Sequence, residues 1–290
     1  MKSISVVIPA LNEKKSIAQT VEQVHQTLSA CDDLDKFEVI VVDDGSDDGT
    51  GDLAQKSGAV IVRHPHNLGY GRSLKDGIKH AQFDTIAITD SDGTYPIDRI
   101  PDLVREFENG YDMVVGSRTG KHYKETFIKW PLRLILRFLV EWSTGRKIPD
   151  INSGLRVFSR DTILQYVDHL SDSFSFTTSS TLAYMLTSRF VKYMPISYER
   201  RTGSSHVRLV RDSLRTLQYI TQSINYYNPI KLFLLLSIFC LLIGAACIFA
   251  AITLSSPYFW FGAVASAVGA IVIFALGLLA DLLRQIMARN

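Results

Sequence analysis

The residues best suited to do chemistry are two aspartates that follow a short apolar run. Asp90-Ser91-Asp92 comes directly after Thr85-Ile86-Ala87-Ile88-Thr89. Because residues i and i+2 of an extended chain point the same way, Asp90 and Asp92 can converge on one hard cation. Mg²⁺ and Mn²⁺ typically take one or two protein carboxylates and complete their coordination with water and a substrate diphosphate. The pair therefore indicates a nucleotide-linked donor, and the alternative is a solvated turn.

The elements that must position this pair alternate between β-branched runs and helical segments. Near-continuous apolar strands separated by helices predict an α/β fold with a mostly parallel sheet covered on both faces. Polar capping residues or Gly/Pro boundaries open the helices. The predicted strands are residues 4–9, 38–42, 59–63, 85–89 and 113–116, and the predicted helices lie near 14–30, 49–56, 71–81 and 98–109.

Polar motifs fall at three of the predicted strand ends. Pro9-Ala10-Leu11-Asn12-Glu13 follows the first strand, Asp43-Asp44-Gly45-Ser46 the second, and the aspartate pair the fourth. Ligands of such sheets bind beyond the carboxyl ends of the strands, so we expect a site at this edge. Asn67-Leu68-Gly69-Tyr70-Gly71-Arg72 has some features of a phosphate-binding loop. Without the Rossmann spacing, its glycines favour helix entry and tight packing.

Two long uncharged runs lie near the C-terminal end. Residues 232–254 and 259–280 contain no charge, and about 22 residues at 1.5 Å each span roughly 33 Å as a helix. They predict two membrane helices, and a buried hairpin in a soluble core is the alternative. Basic residues flank the pair on one side, so the positive-inside rule puts both termini and everything before Lys231 in the cytoplasm. These residues are Arg208, Arg211, Arg215, Lys231, Arg284 and Arg289.

Other bulk properties constrain the function less. The 31 basic and 29 acidic residues nearly cancel, so net charge indicates no class of partner. We expect no nucleic acid among the partners. Met1 leads directly into a strand pattern, so we expect no signal peptide. Cys240 and Cys247 lie inside the first apolar run and Cys31 stands alone, so neither a disulfide framework nor a zinc site is implied.

Two segments have the pattern of basic amphipathic helices. In residues 127–142, Lys129, Arg133 and Arg137 recur every four residues beside an apolar face. In residues 207–227, apolar side chains follow a three-four spacing close to three arginines. Such helices next to membrane spans favour the anionic headgroup region. Ordinary packing on the domain, with a solvated charged face, is the alternative.

Three motifs, in order and each at a strand end, resemble the signature of family 2 glycosyltransferases with the GT-A fold. They are Val6-Val7-Ile8-Pro9-Ala10-Leu11-Asn12-Glu13, Val41-Val42-Asp43-Asp44-Gly45-Ser46-Asp47-Asp48-Gly49-Thr50 and Asp90-Ser91-Asp92-Gly93. Later segments are similar to the polyprenyl-phosphate glycosyltransferases of the dolichol-phosphate mannose synthase type. These are Gly116-Ser117-Arg118, Asp150-Ile151-Asn152-Ser153-Gly154-Leu155-Arg156-Val157-Phe158 and Arg200-Arg201-Thr202-Gly203-Ser204-Ser205-His206. The resemblance covers about residues 3–231.

The resemblance implies a division of the chain into three parts. Residues 1–206 would form the GT-A catalytic domain, with an acceptor loop and interfacial helix at 119–149. Residues 207–229 would form a juxtamembrane amphipathic helix. Residues 230–290 would form a two-helix transmembrane anchor.

The resemblance also implies which residues bind the nucleotide. Pro9, Leu11 and Glu13 lie where the family's first loop holds the nucleoside, and Ser91 is expected against the nucleotide. Asp44 lies where a carboxylate accepts hydrogen bonds from the base, as a fixed acceptor for a ring N–H would.

For the metal, the resemblance implies Mg²⁺ or Mn²⁺ between the donor diphosphate and two acids. Asp90 and Asp92 match the family's metal-binding positions, and Asp92 is also a catalytic candidate. Thr94 stands where relatives often have Gln, and either its hydroxyl or a water would be the third ligand.

The acceptor side requires positive charge, because a lipid monophosphate must approach a diphosphate. The resemblance supports Arg118, also a catalytic candidate, and Arg133, although Lys129 or Arg137 could serve instead of Arg133. Arginine suits phosphate because its planar fork donates paired hydrogen bonds.

Two further segments complete the acceptor side. Arg200, Ser205 and His206 fall where the family has a loop that closes on the phosphates, with His206 in place of the usual Lys. Asp150 either orients the acceptor or the sugar hydroxyls as a catalytic residue, or caps the turn that follows it.

Together these expectations describe an inverting, metal-dependent transfer of a hexose from a UDP- or GDP-linked sugar to dolichyl or undecaprenyl phosphate. The reaction would take place at the cytoplasmic membrane face. A phosphate monoester is mostly dianionic at pH 7, so a single in-line displacement needs no strong base. The alternatives are a membrane-tethered transferase for a polysaccharide or other hydroxyl acceptor, and a non-catalytic nucleotide-binding membrane protein. Small-residue runs at Gly244-Ala245-Ala246 and 262–277 add the hypothesis of a homo-oligomer.

Overall fold

The computed structural model describes residues 3–119, 130–199 and 209–287. Within these ranges, residues 130–136 and 209–213 are described by their backbone alone.

Seven strands of the described part form a single sheet in the order β3-β2-β1-β4-β6-β5-β7. Strand β6 runs antiparallel to β4 and β5, while the other pairings are parallel. The strands are β1 (Ser3–Ala10), β2 (Lys36–Asp43), β3 (Val60–Arg63), β4 (Thr85–Ile88), β5 (Met113–Thr119), β6 (Arg156–Ser159) and β7 (Val191–Ser197). The predicted mostly parallel sheet is confirmed. The sequence did not predict β6 and β7. Strand β6 is only four residues long and begins with an arginine.

Helices cover both faces of the sheet, which explains why the strands are apolar along their length. In β1, Val6 and Ile8 enter one core and Val7 enters the other, since successive side chains of a strand point to opposite faces. The helices of the sheet domain are α1 (Ile17–Ser29), α2 (Thr50–Lys56), α3 (Tyr70–His80), α4 (Ile100–Glu108), α6 (Arg160–Leu164) and α7 (Phe176–Leu186). Helices α1 and α4 line the first core, and α3 and α7 line the second.

Two amphipathic helices, α5 (Trp130–Thr144) and α8 (Leu209–Tyr227), pack on the domain. Val140 of α5 and Ile220 and Ile224 of α8 are buried together with Leu182 of α7. For Ile220 and Ile224 the structure therefore agrees with the alternative of ordinary packing on the domain. The headgroup position of the two helices stays a prediction.

The domain is joined directly to the first apolar helix, α9 (Pro229–Thr253). Trp142 Nε1 of α5 donates to the carbonyl of Lys231 at 3.3 Å, and Lys231 Nζ donates to the carbonyl of Ser143 at 2.9 Å. These reciprocal hydrogen bonds fix the end of α5 at the start of α9.

Helix α9 forms an antiparallel hairpin with α10 (Tyr258–Met287). Both are long and apolar enough to cross a membrane. Small buried side chains recur every seven residues on each helix, a spacing that keeps one seam facing the partner. They are Ser237, Gly244 and Ala251 on α9, and Ala263, Ala270 and Gly277 on α10.

Glycines at and beside this seam pack within one chain. A Cβ on Gly277 would lie 2.5 Å from Cβ of Phe233, and one on Gly262 would lie 3.1 Å from Sγ of Cys247. The expectation that the small-residue runs provide a surface for a second copy is wrong for Gly244, Gly262 and Gly277, because they face the neighbouring helix of the hairpin. Oligomerisation itself stays a prediction.

Candidate functional site

The aspartate pair lies in a turn just beyond β4, which ends at Ile88. Gly93 continues the turn with a φ of 71°, a value that favours glycine. The Thr89 N–H still donates to the carbonyl of Val7 in β1 at 3.3 Å, so the sheet pairing continues to the residue before Asp90. The convergence of the two acids through extended-chain geometry stays a prediction. Hydrogen bonds from neighbouring residues hold both carboxylates.

A neighbouring hydroxyl anchors each acid. The Tyr70 hydroxyl donates to Asp90 Oδ1 at 2.9 Å. The Thr94 hydroxyl donates to Asp92 Oδ1 at 2.6 Å, and the Thr94 backbone N–H donates to the same oxygen at 3.1 Å. In this structure Thr94 orients Asp92 through its hydroxyl, and a direct role in metal binding stays a prediction.

Tyr70 and Tyr95 flank Asp90. Burial, followed by the negative charge of Asp90, raises the pKa of both tyrosine hydroxyls well above the ordinary value. Both hydroxyls therefore stay protonated at neutral pH. Tyr95 also accepts a hydrogen bond from the Gly154 N–H at 2.7 Å.

The acceptor candidates Arg118 and Asp150 form an ion pair at the end of β5. Arg118 donates to Asp150 from Nε at 2.7 Å, from Nη2 at 2.8 Å and from its backbone N–H at 3.1 Å. The Tyr198 ring lies 5.3 Å from the guanidinium carbon, within range of a cation–π interaction. Asp150 therefore fixes the plane of the Arg118 guanidinium.

Two opposing effects act on the pKa of Asp150. Burial raises it, whereas the hydrogen bonds and charge of Arg118 lower it, and the net result lies below the ordinary value. Asp150 is thus ionised at neutral pH and is a poor proton acceptor there.

One short loop, residues 150–154, connects the two groups of site residues. Its first residue, Asp150, holds Arg118. Its last residue, Gly154, lies against Asp90, since a Cβ there would lie 2.8 Å from Asp90 Oδ1. The structure therefore brings Asp90 and the Arg118–Asp150 pair to the same edge of the sheet.

The predicted nucleoside loops after β1 and β2 are hydrogen-bonded to each other. The Asn12 N–H donates to the Ser46 hydroxyl, the Asp47 N–H donates to Asn12 Oδ1, and the Glu13 N–H donates to the Thr50 hydroxyl, at 2.9 to 3.0 Å.

Three of the predicted nucleoside residues lie along this segment. Pro9 is buried inside β1, while Leu11 and Glu13 are half-buried in the loop that follows. Their contact with a nucleoside stays a prediction.

Asp44 is buried and holds the segment before α3. Its carboxylate accepts the N–H groups of Leu68 and Gly69, both at 2.9 Å, and lies 2.8 Å from His64 Nδ1. Here Asp44 has a structural role, and recognition of a base by Asp44 stays a prediction.

The glycines before α3 serve close packing. A Cβ on Gly69 would lie 2.5 Å from the carbonyl oxygen of Asp172, and one on Gly71 would lie 2.2 Å from that of Ser171. This agrees with the interpretation of the segment as a tightly packed helix entry.

The remaining predicted residues are only partly described. Ser91 is buried, and its carbonyl accepts the Thr20 hydroxyl at 3.2 Å. Arg133 belongs to α5, where its side chain is not described, and Arg137 forms an ion pair with Glu141 at 2.9 Å. Lys129, Arg200, Ser205 and His206 lie outside the described residues. The binding roles of all these residues stay predictions.

Sequence reasoning missed Tyr70, Tyr95 and Arg156. Tyr70 and Tyr95 are ordinary tyrosines in sequence, and only the fold places their hydroxyls beside Asp90 and Gly154. Arg156 lies inside a motif that the resemblance had singled out, so its position was marked although its role was not.

The anchored acids fit a divalent cation completed by its substrate. Within the ranges 3–119, 130–199 and 209–287, no group of three or more His, Cys, Asp or Glu side chains could hold a metal on its own. Two carboxylates are sufficient when a diphosphate and water supply the other oxygens, as is usual for Mg²⁺.

Comparison with known proteins decides the family. A family model described as glycosyl transferase family 2 matches residues 5–166, more than half of the 290 residues. The chain belongs to glycosyl transferase family 2. The family predicted from the three strand-end motifs is thereby confirmed, and the matched segment contains both acids as well as Arg118 and Asp150.

Two relatives are similar to this chain over more residues than the family model matches. The chain is 30% identical over 225 residues to a low-salt glycan biosynthesis hexosyltransferase of Haloferax volcanii, which covers 75% of this chain and 53% of that protein. It is 34% identical over 172 residues to an undecaprenyl-phosphate 4-deoxy-4-formamido-L-arabinose transferase of Pseudomonas syringae, which covers 56% of this chain and 49% of that protein. The chain spans about half the length of these two relatives.

Solved structures show the same fold at lower identity. Glucosyl-3-phosphoglycerate synthase from Mycobacterium tuberculosis, in complex with phosphoglyceric acid, superposes with a TM-score of 0.63 at 20% identity. That match covers 77% of this chain and 80% of the synthase. The likeness confirms the predicted fold of the family 2 domain.

Proposed function

We propose that this chain transfers a hexose from a nucleotide-diphosphate sugar to a polyprenyl phosphate at the surface of a membrane. Its family and its resemblance to an undecaprenyl-phosphate transferase support the reaction class. The two apolar helices support a membrane location for a lipid acceptor.

One observation carries the proposal, namely the loop 150–154 that contacts both halves of the site. Gly154 lies against Asp90, and Asp150 holds Arg118. A donor diphosphate at the acids and an acceptor phosphate at Arg118 would therefore bind at the two ends of this short loop. Close placement of two reactants is itself a large part of catalysis.

On the donor side, Asp90 and Asp92 would hold Mg²⁺ or Mn²⁺. When bound, the cation would neutralise charge on the departing nucleotide diphosphate. The synthase from M. tuberculosis was solved with Mn²⁺ and UDP-glucose, which supports this assignment for the shared fold. Tyr70 and Thr94 hold the two acids in place, while Pro9, Leu11, Glu13, Asp44 and Ser91 are the proposed nucleotide contacts.

On the acceptor side, Arg118 would bind the lipid phosphate. The guanidinium is planar and oriented by Asp150, so its N–H groups are directed before the phosphate arrives. Arg133, Arg200, Ser205 and His206 are the proposed further contacts of this phosphate.

The ionised state of Asp150 bears on the mechanism. Because Arg118 keeps its pKa low, Asp150 serves as an orienting group and not as a general base. The attacking phosphate needs no such base, since it is mostly dianionic at pH 7. We therefore infer a single in-line displacement with inversion at the anomeric carbon, promoted by positioning and electrostatics.

The hairpin would hold the domain at the bilayer. Trp142 and Lys231 tie the end of α5 to the entry of α9, so the domain cannot move far from the membrane surface. The basic residues before α9 and after α10 support a cytoplasmic location of the domain and both termini.

The test is transfer by the purified full chain in mixed micelles. A panel of UDP- and GDP-linked hexoses is incubated with undecaprenyl or dolichyl phosphate and Mn²⁺, and glycolipid is detected by mass. We expect one nucleotide sugar to give a product heavier than the lipid by one hexosyl unit. EDTA should abolish the product, and added Mn²⁺ or Mg²⁺ should restore it.

The matched control acceptor is the polyprenyl alcohol, which lacks only the phosphate. Equal transfer to this alcohol or to a water-soluble hydroxyl acceptor would contradict the proposal and support a hydroxyl-directed transferase. Nucleotide binding without turnover on any acceptor would support a non-catalytic nucleotide-binding protein.

A further inference from the structure

Arg156, the first residue of β6, is a fully buried arginine with no role in the reaction described above. Its Nε donates to the carbonyl of Ser153 at 2.7 Å, and its Nη2 donates to the carbonyl of Ile151 at 2.8 Å. Its Nη1 donates to the hydroxyls of Thr181 at 2.7 Å and Ser180 at 3.3 Å, both on α7. All of these acceptors are uncharged.

The burial of a guanidinium is costly, so its presence calls for a reason. Burial removes the solvation of the charge, and uncharged acceptors restore only part of it. The next two residues of β6, Val157 and Phe158, fill the two sheet cores with apolar side chains. Sheet packing therefore does not require an arginine at the head of this strand.

The fork of Arg156 joins the loop 150–154 to α7. Ile151 and Ser153 lie on either side of Asn152, whose side-chain oxygen accepts the Thr178 hydroxyl of α7 at 2.9 Å. Lysine could not replace these contacts, because its donors radiate from one atom, whereas the guanidinium spreads five N–H groups over a plane.

The position of this loop matters most for the acceptor side. The loop contributes the side chain of Asp150, whose carboxylate accepts two hydrogen bonds from the Arg118 guanidinium. On the donor side the loop supplies only the backbone of Gly154, and Asp90 has its own anchor in Tyr70. A displaced loop would thus reorient Arg118 more than Asp90.

We propose that Arg156 is a positioning residue for the acceptor phosphate, acting through the loop 150–154 on the Asp150–Arg118 pair. The assignment of the phosphate as ligand rests on the proposed function. The hydrogen bonds from Arg156 to the loop do not depend on that function, and hydrogen exchange measures their effect separately.

The experiment compares Arg156→Lys with Arg160→Lys in the full-length protein. Arg160 is a matched control, because it also donates from Nε and Nη2 to two backbone carbonyls, those of Ile78 and Lys79, at 3.1 and 3.0 Å. For Arg156→Lys we expect the KM for polyprenyl phosphate to rise about tenfold or more. The Kd of Mn²⁺-nucleotide, measured by calorimetry without acceptor, should stay within about threefold of wild type. Arg160→Lys should change neither constant by more than about threefold.

Hydrogen exchange supplies the readout that does not need turnover. The amides of Arg118, Asn152 and Gly154 donate to Asp150 or Tyr95, so they should exchange faster in Arg156→Lys and at the wild-type rate in Arg160→Lys. If the wild-type chain forms no glycolipid, the proposed function fails and these amides still test the grip of Arg156.

The proposal is overturned if Arg156→Lys leaves both the acceptor KM and the three amides unchanged. It is also overturned if the acceptor KM and the Mn²⁺-nucleotide Kd rise together, since that indicates a general loss of structure. Should Arg156→Lys not fold, Thr181→Ala removes one acceptor of Arg156 and should raise the acceptor KM severalfold in the same selective way.

Discussion

The contacts that the structure describes for the acids differ between the proposed donor and acceptor sides of the site. On the donor side, the neutral hydroxyls of Tyr70 and Thr94 orient Asp90 and Asp92. On the acceptor side, a positively charged guanidinium holds Asp150. A hydroxyl directs a carboxylate without cancelling its charge, whereas an arginine largely neutralises it.

This difference matches the proposed tasks of the two sides. A carboxylate that must attract a divalent cation keeps its negative charge when a hydroxyl orients it. A carboxylate that serves to aim an arginine at a phosphate can be neutralised by that arginine. The same side-chain type, Asp, thus has opposite electrostatic roles within one site, and variants can separate them.

The largest effect is expected for Asp92→Asn, which keeps the shape of the side chain and removes its charge. Glycolipid formation should fall by about 10²- to 10³-fold, because the amide is a weak ligand for a hard cation. Product formation at saturating Mn²⁺ is the measurement. Asp161→Asn is the control, since Asp161 is an exposed acid on α6 away from the site. Activity within about threefold of wild type would remove Asp92 from the metal site.

The second largest effect is a loss of stability, which we expect in Asp150→Asn. Removal of one partner from a buried ion pair costs about 3 kcal/mol, which lowers the apparent Tm by roughly 5–10 °C. The folded-state pKa of Asp150 is depressed, so the contribution of the pair is present above the unfolded pKa near 3.9 and is lost as pH falls through the folded value.

The measurement is the Tm difference between wild type and Asp150→Asn as a function of pH. We expect a constant difference between about pH 6 and 8 and a smaller one below about pH 4. Asp112→Asn is the control, because the Asp112–Arg189 pair is more exposed and lies at the amino ends of β5 and β7. Its Tm shift should be smaller, and equal shifts for both variants would contradict a special role of burial.

The third effect is selective for the acceptor. Arg118→Lys keeps a positive charge but loses the two-pronged contact with Asp150, so the KM for polyprenyl phosphate should rise about 30-fold and that for the nucleotide sugar by less than about threefold. Steady-state kinetics with each substrate varied in turn is the measurement. Arg189→Lys is the matched control. A larger increase in the donor KM would place Arg118 on the donor side.

The smallest effect is expected for Tyr70→Phe, which removes a single hydroxyl. Loss of this hydrogen bond to Asp90 should weaken Mn²⁺ binding in the presence of nucleotide diphosphate by about tenfold. Calorimetry without acceptor measures it. Tyr166→Phe is the control, since the Tyr166 hydroxyl pairs with that of Thr187, away from the acids. An unchanged Mn²⁺ affinity in Tyr70→Phe would show that the Tyr70 hydroxyl does not support metal binding by Asp90.

The sheet, its flanking helices and the apolar hairpin were predictable, because local patterns specify them. The β-branched runs of β1 and β2 and the uncharged length of α9 and α10 each depend on residues close together in sequence. Strand β6 was not predicted, since its four residues pair only with β4 and β5, which are distant in sequence. The packing of Ile220 and Ile224 on α7 could not be chosen from sequence, because an apolar stripe has the same pattern whether lipid or a helix covers it.

By itself the sequence determined the family and the strand ends at which the candidate residues lie, since strand ends and motifs are local properties. Only the tertiary structure decided how those residues are partnered. Tyr70 meets Asp90 across 20 residues, and Asp150 meets Arg118 across 32, so chain folding and not local pattern creates these contacts. The charge state and direction of each acid follow from such partners, because hydrogen bonding and nearby charge depend on distance in space.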